Sequence, residues 1–215
     1  INTAIASGDG DAILEGHFFT ATVGKKSVTI DSRKMQIEGM HNIYNAMAAA
    51  LATLAAGIDP KQIKRSIYDF SPVEHRLEPS GTKNDIQWVN DSKATNVDSV
   101  WYALESMKRP TVWIAGGTDK GNDYTPLKEF ARRKVKALIC MGLDNTKLVR
   151  EFTDIIPEIR SCNSFEEAMR AAKELASEGD TVLLSPACAS FDLFRNYEER
   201  GRMFKEWVKS NVLND

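Results

Sequence analysis

Ile86-Gln87-Trp88-Val89-Asn90-Asp91-Ser92-Lys93-Ala94-Thr95-Asn96-Val97 runs from an apolar stretch through seven polar or small residues into a helical pattern continued by Val100, Trp101, Leu104 and Met107. A strand that hands over to a helix in this way is the repeating piece of an α/β sheet, and in open sheets of that class ligands gather at the handover. The segment Asn90–Asn96 carries a carboxylate, an ammonium, two hydroxyls and two amides. A plain connecting loop does not need that density of functional groups.

The same alternation continues outward. Apolar runs at Thr111–Ala115, Ala137–Met141 and Thr181–Leu184, with a weaker one near Ile155–Ile159, alternate with amphipathic segments at 97–108, 126–134, 145–153 and 164–177. In the last of these, Phe165, Ala168, Met169, Ala172, Leu175 and Ala176 form one apolar face. Short apolar strands alternating with helices imply an α/β fold with a mainly parallel, Rossmann-like sheet covered on both sides. That domain is expected over residues 74–215.

Residues 1–73 read differently. Ile13, Phe18, Phe19, Val23, Val28 and Ile30 mark β structure over 12–38, with Gly24-Lys25-Lys26 as a hairpin turn. Ile43, Met47, Ala50, Leu51 and Leu54 then recur at helical spacing up to Gly57, and Pro60 opens a second helix carrying Ile63 and Ile67. The expectation is a hairpin plus two helices with little to pack against. Ser71-Pro72-Val73-Glu74 is the connector.

The chain has 215 residues, 42% of them hydrophobic and 27% charged, with a formal net charge of −2. Those values fit an ordinary globular chain and point away from a nucleic-acid or membrane partner. Three cysteines without a close pair suit a reducing cytoplasm, and three isolated histidines offer no metal-ligand spacing. No metal ligands are assigned.

Four loops should share the carboxyl edge of the sheet: Asn90–Asn96, Gly116–Gly121, Gly142–Asn145 and Ser185–Ser190. Gly116-Gly117-Thr118-Asp119-Lys120-Gly121 sets a lysine in a glycine-rich turn, suited to a carboxylate or phosphate or simply exposed. Ser190 is read as the N-cap of a helical segment 191–209, whose start would also suit an anion. Gly201 is expected to break or bend that segment. Asn42 and Asn45 lie three apart near the start of the first long helix, on one face, where paired amides could read a purine edge or merely start the helix. Arg76 beside the connector could clamp a phosphate or be a solvated hinge residue. Neither a Walker A loop nor a G-x-G-x-x-G fingerprint follows any strand, which weakens a nicotinamide-dependent oxidoreductase reading.

Gly39-Met40-His41-Asn42-Ile43-Tyr44-Asn45, His75-Arg76, Asn90–Asn96 and Ser185-Pro186-Ala187-Cys188-Ala189-Ser190, in this order and spacing, resemble the Mur ligases of peptidoglycan synthesis, and among them the D-glutamate-adding branch. The resemblance covers nearly the whole chain and is most specific from residue 39 onward. It implies a cytoplasmic, monomeric, ATP- and Mg2+-dependent ligase. Its carboxylate substrate would be UDP-N-acetylmuramoyl-L-alanine, activated as an acyl phosphate and attacked by the amine of D-glutamate.

By matching positions, Asn42 and Asn45 would face adenine, Arg76 the phosphates, and Asp91 the nucleotide. Lys93, Thr95, Lys120 and Ser190 would hold D-glutamate, with Phe191 and Tyr197 alongside. Tyr197 stands where the family commonly has phenylalanine. Lys93 and Arg76 are the expected catalytic cations.

The family's phosphate-binding loop, its magnesium-holding glutamate and histidine, and its modified lysine have no counterpart in this sequence. The expectation is therefore a C-terminal fragment: a remnant of the central ATPase domain over 1–73 and the whole C-terminal domain over 74–215, inactive alone. The competing reading is a stand-alone Rossmann-like module that binds a nucleotide or an acidic metabolite.

Overall fold

The structure, a computed structural model, describes residues 3–7, 10–37, 39–71 and 73–214. The chain divides into two compact units, 1–72 and 73–215.

The first unit is a four-stranded antiparallel meander, β1 (Thr3–Ser7), β2 (Gly10–Glu15), β3 (Phe18–Val23) and β4 (Lys26–Asp31), paired in chain order. Two helices follow, α1 (Met40–Ala55) and α2 (Pro60–Asp69). Alternation places Phe19, Ala21, Val28 and Ile30 on one buried face of the sheet. There they join Met47, Ala50, Leu51 and Leu54 from α1 and Ile63 from α2 in one cluster. The helices are thus not short of packing partners. The expected hairpin is the second half of a larger sheet, because β1 and β2, the latter overlapping the start of the expected β region, pair ahead of it. The β region also ends earlier than expected. The Asp31 carboxylate accepts the Arg33 N–H at 3.1 Å and starts a 3-10 turn, Ser32–Lys34. At α2, Asp59 accepts the Lys61 N–H at 2.8 Å with Pro60 at the first helical position, a favourable start.

The second unit runs β5 (Glu78–Lys83), β6 (Ile86–Asn90), α3 (Val97–Ser106), β7 (Thr111–Gly116), α4 (Lys128–Lys134), β8 (Val135–Met141), α5 (Thr146–Phe152), β9 (Glu158–Cys162), α6 (Phe165–Leu175), β10 (Thr181–Ala187) and α7 (Tyr197–Val208). Its six strands lie in the order β5-β6-β10-β7-β8-β9, parallel except for β5. Strand β5 was not expected. Pro79 and Gly81 erase its strand pattern, and the register shifts between them; proline is tolerated there because β5 is an edge strand. Strand β9 starts three residues later than its apolar signal, since Ile156 is buried in the core instead.

Pleating sends alternate residues of each strand to opposite faces. Trp113 and Ala115 of β7 join the cluster under α3, α4 and α5, while Val112 and Ile114 join the cluster under α6 and α7. Strand β10 sits between β6 and β7. The helix that follows β6 covers one face, and the helix that follows β10 covers the other. Neighbouring parallel strands whose connections leave to opposite faces open a crevice at their carboxyl ends, the usual ligand position in such sheets.

Helix α7 corrects two expectations. Its N-cap is Asn196, whose side-chain oxygen accepts the Glu199 N–H at 2.7 Å, so Ser190 caps nothing and residues 191–196 form turns. Gly201 does not break it, since α7 is continuous from Tyr197 to Val208. A Cβ there would sit 2.2 Å from His75 Nδ1, so the glycine makes room for a buried ring. Gly→Ala inside a helix ordinarily stabilises by up to ~1 kcal/mol. Gly201→Ala should instead destabilise by about 2 kcal/mol through overpacking. Urea denaturation of the two proteins gives the sign of the effect.

Candidate functional site

Backbone register brings Asn90, Leu184, Gly116 and Met141 to one edge of the sheet. The loops that leave it are joined to one another by hydrogen bonds. Asp91 N–H donates to Leu184 O at 2.7 Å, Ala187 N–H to Ala94 O at 2.9 Å, and Thr118 N–H to Ala189 O at 2.9 Å. Trp113 Nε1–H donates to Ser185 O at 2.7 Å. Gly116 and Gly117 adopt φ values of 123° and 125°. A Cβ on Gly117 would stand 2.2 Å from Ala189 O, and one on Gly116 would stand 2.4 Å from Met141 O. Only glycine lets the backbones come this close.

Asp91 lies at the centre of this edge and is 3% exposed. Its Oδ2 accepts the Ser185 hydroxyl at 2.7 Å and its Oδ1 accepts the Leu77 N–H at 3.2 Å. Burial dominates those two donors and pushes the carboxyl up to about 7. Next to it, Asn90 Nδ2 reaches His75 Nδ1 at 2.9 Å, Glu78 Oε2 at 3.1 Å and Gly201 O at 3.3 Å, while Asn90 Oδ1 accepts the Ser92 N–H at 3.2 Å. The His75 ring is buried and its pKa is lowered, chiefly by desolvation. His75 and Leu77 hold φ values of 64° and 44°, a left-handed backbone on either side of Arg76.

Lys93 is half-buried, with its backbone N–H on His75 O at 3.0 Å and its Nζ 5.8 Å from the centre of the Tyr197 ring. Thr95 is half-buried on the same loop. Lys120 is exposed at the tip of its turn. Asp119 holds that turn, accepting N–H groups from Gly121 at 2.6 Å and Asn122 at 3.0 Å and the Lys147 ammonium at 3.1 Å. Asp119 also accepts the Tyr124 hydroxyl at 2.7 Å, and that hydroxyl lies 3.2 Å from Cys188 Sγ. Ser190 is buried, and Phe191 is 69% exposed. Arg76 is half-buried, and neither it nor Lys120 forms an ion pair among the described residues.

The second unit therefore collects Arg76, Asp91, Lys93, Thr95, Lys120, Ser190, Phe191 and Tyr197 on loops of one sheet edge or on the segments joined to them. Asn42 and Asn45 belong to the first unit, near the start of α1. Asn42 is half-buried, and Asn45 is exposed at a groove of about 340 Å³ lined mainly by apolar residues, including Met35, Ile37, Ile58, Ile63 and Phe70. Sequence reasoning missed Arg200 and the roles of Asp119 and Tyr124. Helical spacing held a signal for Arg200: it lies on the buried stripe of α7 with Phe204, Trp207 and Val208.

The sequence profile described as "Mur ligase, glutamate ligase domain" matches residues 75–188. The chain belongs to the Mur ligase family. It is 46% identical over 202 residues to UDP-N-acetylmuramoylalanine--D-glutamate ligase of Christiangramia forsetii, covering 94% of this chain and 45% of that protein. The enzyme of the same name from Porphyromonas gingivalis is 50% identical over 179 residues, covering 83% and 40%. The chain thus spans less than half the length of these relatives. Among solved structures, UDP-N-acetylmuramate-alanine ligase of Thermotoga maritima superposes with a TM-score of 0.63 at 15% identity, covering 97% of this chain and 45% of that one. FolC of E. coli in complex with ADP superposes with a TM-score of 0.64 at 15% identity, covering 94% and 46%. These two likenesses show a shared α/β fold with a mainly parallel sheet.

The buried carboxyl of Asp91 makes a signed prediction. Its pKa in the folded chain, about 7, lies above the ordinary 3.8, so the folded state keeps a proton that the unfolded chain releases. Its contribution to stability is therefore full below about pH 4 and falls by up to ~4 kcal/mol as pH rises to about 7. His75 acts in the opposite sense, because its lowered pKa makes folding weaker below the ordinary histidine range. The difference between wild type and Asp91→Asn, measured by urea denaturation at several pH values, isolates the aspartate. The variant should gain relative stability from pH 4 to 7.

Proposed function

We propose that this chain carries the amino-acid-binding half of an ATP-dependent ligase that joins D-glutamate to UDP-N-acetylmuramoyl-L-alanine. The observation that supports the reading best is a set of cations without ion pairs at the carboxyl edge of the second unit. Arg76, Lys93 and Lys120 lie there without ion pairs among the described residues. Asp91 is biased toward its neutral form, and Asp119 is engaged by Lys147. A dicarboxylic amino acid meets such an edge without having to displace existing counter-ions. The names of the curated relatives point to the same substrate.

In this reading Lys93 and Lys120 hold the two carboxylates, with Thr95 and Ser190 as hydroxyl partners and Tyr197 and Phe191 as an aromatic wall. Lys93 sits over the Tyr197 ring, which fixes where its ammonium lies. Arg76 faces the nucleotide phosphates, and Asn42 and Asn45 offer amide donors and acceptors to adenine. Asp91 turns to the nucleotide only when its carboxyl is uncovered. Bound ATP supplies the phosphoryl group that activates the acceptor's carboxylate. This chain's residues contribute position and charge at the attacking amine. Among the described residues no group of three or more His, Cys, Asp or Glu side chains is placed to hold a metal ion, so magnesium is assigned to none of them. Among the same residues, no helix is long and apolar enough to cross a membrane. A cytoplasmic setting is part of the proposal.

Titration of the 15N-labelled chain with D-glutamate tests this. Amides of 92–95, 118–121 and 188–191 should shift in the millimolar range, and L-glutamate should do less. Lys93→Met and Lys120→Met should each weaken the response about ten-fold, the value of one charge-assisted hydrogen bond. Incubated with ATP, Mg2+, D-glutamate and UDP-N-acetylmuramoyl-L-alanine, the chain alone should release no phosphate. Shifts confined to other surfaces, or turnover by the chain alone, would contradict the reading.

A further inference from the structure

Arg200 is fully buried, yet among the described residues no carboxylate lies within 4 Å of its guanidinium. Its hydrogen bonds all go to two loops. Nε–H donates to Ser92 Oγ at 3.0 Å and one terminal NH2 to Ser92 O at 2.9 Å, while both terminal NH2 groups reach Cys188 O at 3.4 Å. Ser92 Oγ in turn donates to Tyr197 O at 2.7 Å. One side chain thereby joins the loop carrying Lys93 and Thr95, the loop carrying Ser190, and the turn of α7 carrying Tyr197. Burial lowers the guanidinium pKa to about 10, still far above neutrality, so the group remains a cation. Asp192, whose charge it feels, is itself engaged by the Leu143 N–H at 3.2 Å.

A buried cation with no ion pair is costly, and an apolar side chain of similar volume would be the cheaper filling. A planar fork that spans two carbonyls and a hydroxyl explains the choice of arginine over lysine, whose ammonium is a single point. We infer that Arg200 is a positioning residue for the D-glutamate subsite, holding the two loops in register and placing a fixed positive charge beneath them. This rests on the proposed function for the identity of the anion, but not for the geometry.

The test compares wild type, Arg200→Met and Arg200→Lys in the 15N-labelled 215-residue chain. Without ligand, Arg200→Met should move the amides of Ser92, Lys93 and 188–190, leaving the first unit and the Trp113 indole signal in place. On titration, Arg200→Met should weaken D-glutamate binding about ten-fold and Arg200→Lys about three-fold, the lysine restoring charge but not the fork. Loop amides that do not move in folded Arg200→Met, or wild-type affinity in that variant, would overturn the inference. If Arg200→Met does not fold, Arg200→Lys decides: weakened binding supports the inference and wild-type binding overturns it. Failure of wild type to bind D-glutamate would sink the functional reading alone, because the ligand-free shifts still test the positioning.

Discussion

The second unit depends on where β10 lies. Placed between β6 and β7, it brings Ser185–Ser190 beside Asn90–Asn96 and Gly116–Gly121 at one edge of the sheet. The loops then satisfy one another's backbone groups, through Asp91, Ala187 and Thr118 N–H, instead of turning to solvent. Polar side chains complete the joint: the Ser185 hydroxyl on Asp91, the Asn122 amide on Ala187 O at 3.0 Å, and the Arg200 fork on Ser92 and Cys188. Arg76 and Lys93, half-buried, and the exposed Lys120 are carried on this base. That is the arrangement a site for a charged amino acid needs, since preorganised charge does not have to reorient when the ligand arrives.

Much of this was legible in the sequence because the sheet is parallel. Buried parallel strands read as unbroken apolar runs, and β6, β7, β8 and β10 announced themselves in that way. Their loops followed, and with them Lys93, Thr95, Lys120 and Ser190. Strand β5 was not legible, because Pro79 and Gly81 look like a loop and only its edge position permits them. In the first unit β1 went unread and β2 was read only from residue 12, as part of one β region, so the hairpin Phe18–Asp31 was read without the sheet it completes.

The side chains misread at the site share one cause: local sequence names a residue's usual role, and tertiary contacts assigned another. Ser190 looked like a helix cap, but Asn196 performs that task and Ser190 is buried beside the crevice. Gly201 looked like a helix breaker, and it is a gap left for His75. Arg200 was passed over altogether. Its helical phase with Phe204 and Trp207 turns it inward, a signal that went unread. Family resemblance carried the candidate ligand-facing residues and passed over Arg200, which joins the loops.

The central claim is that the loops at this edge form one rigid, mutually bonded base. Amide hydrogen exchange at Asp91, Ala187 and Thr118 tests it most directly. These N–H groups should exchange as slowly as those in the middle of β7 and β10, opening only with the unfolding of the second unit. Exchange as fast as at the exposed turn of Lys120 would show that the loops move independently, and the account of a preorganised site would fail.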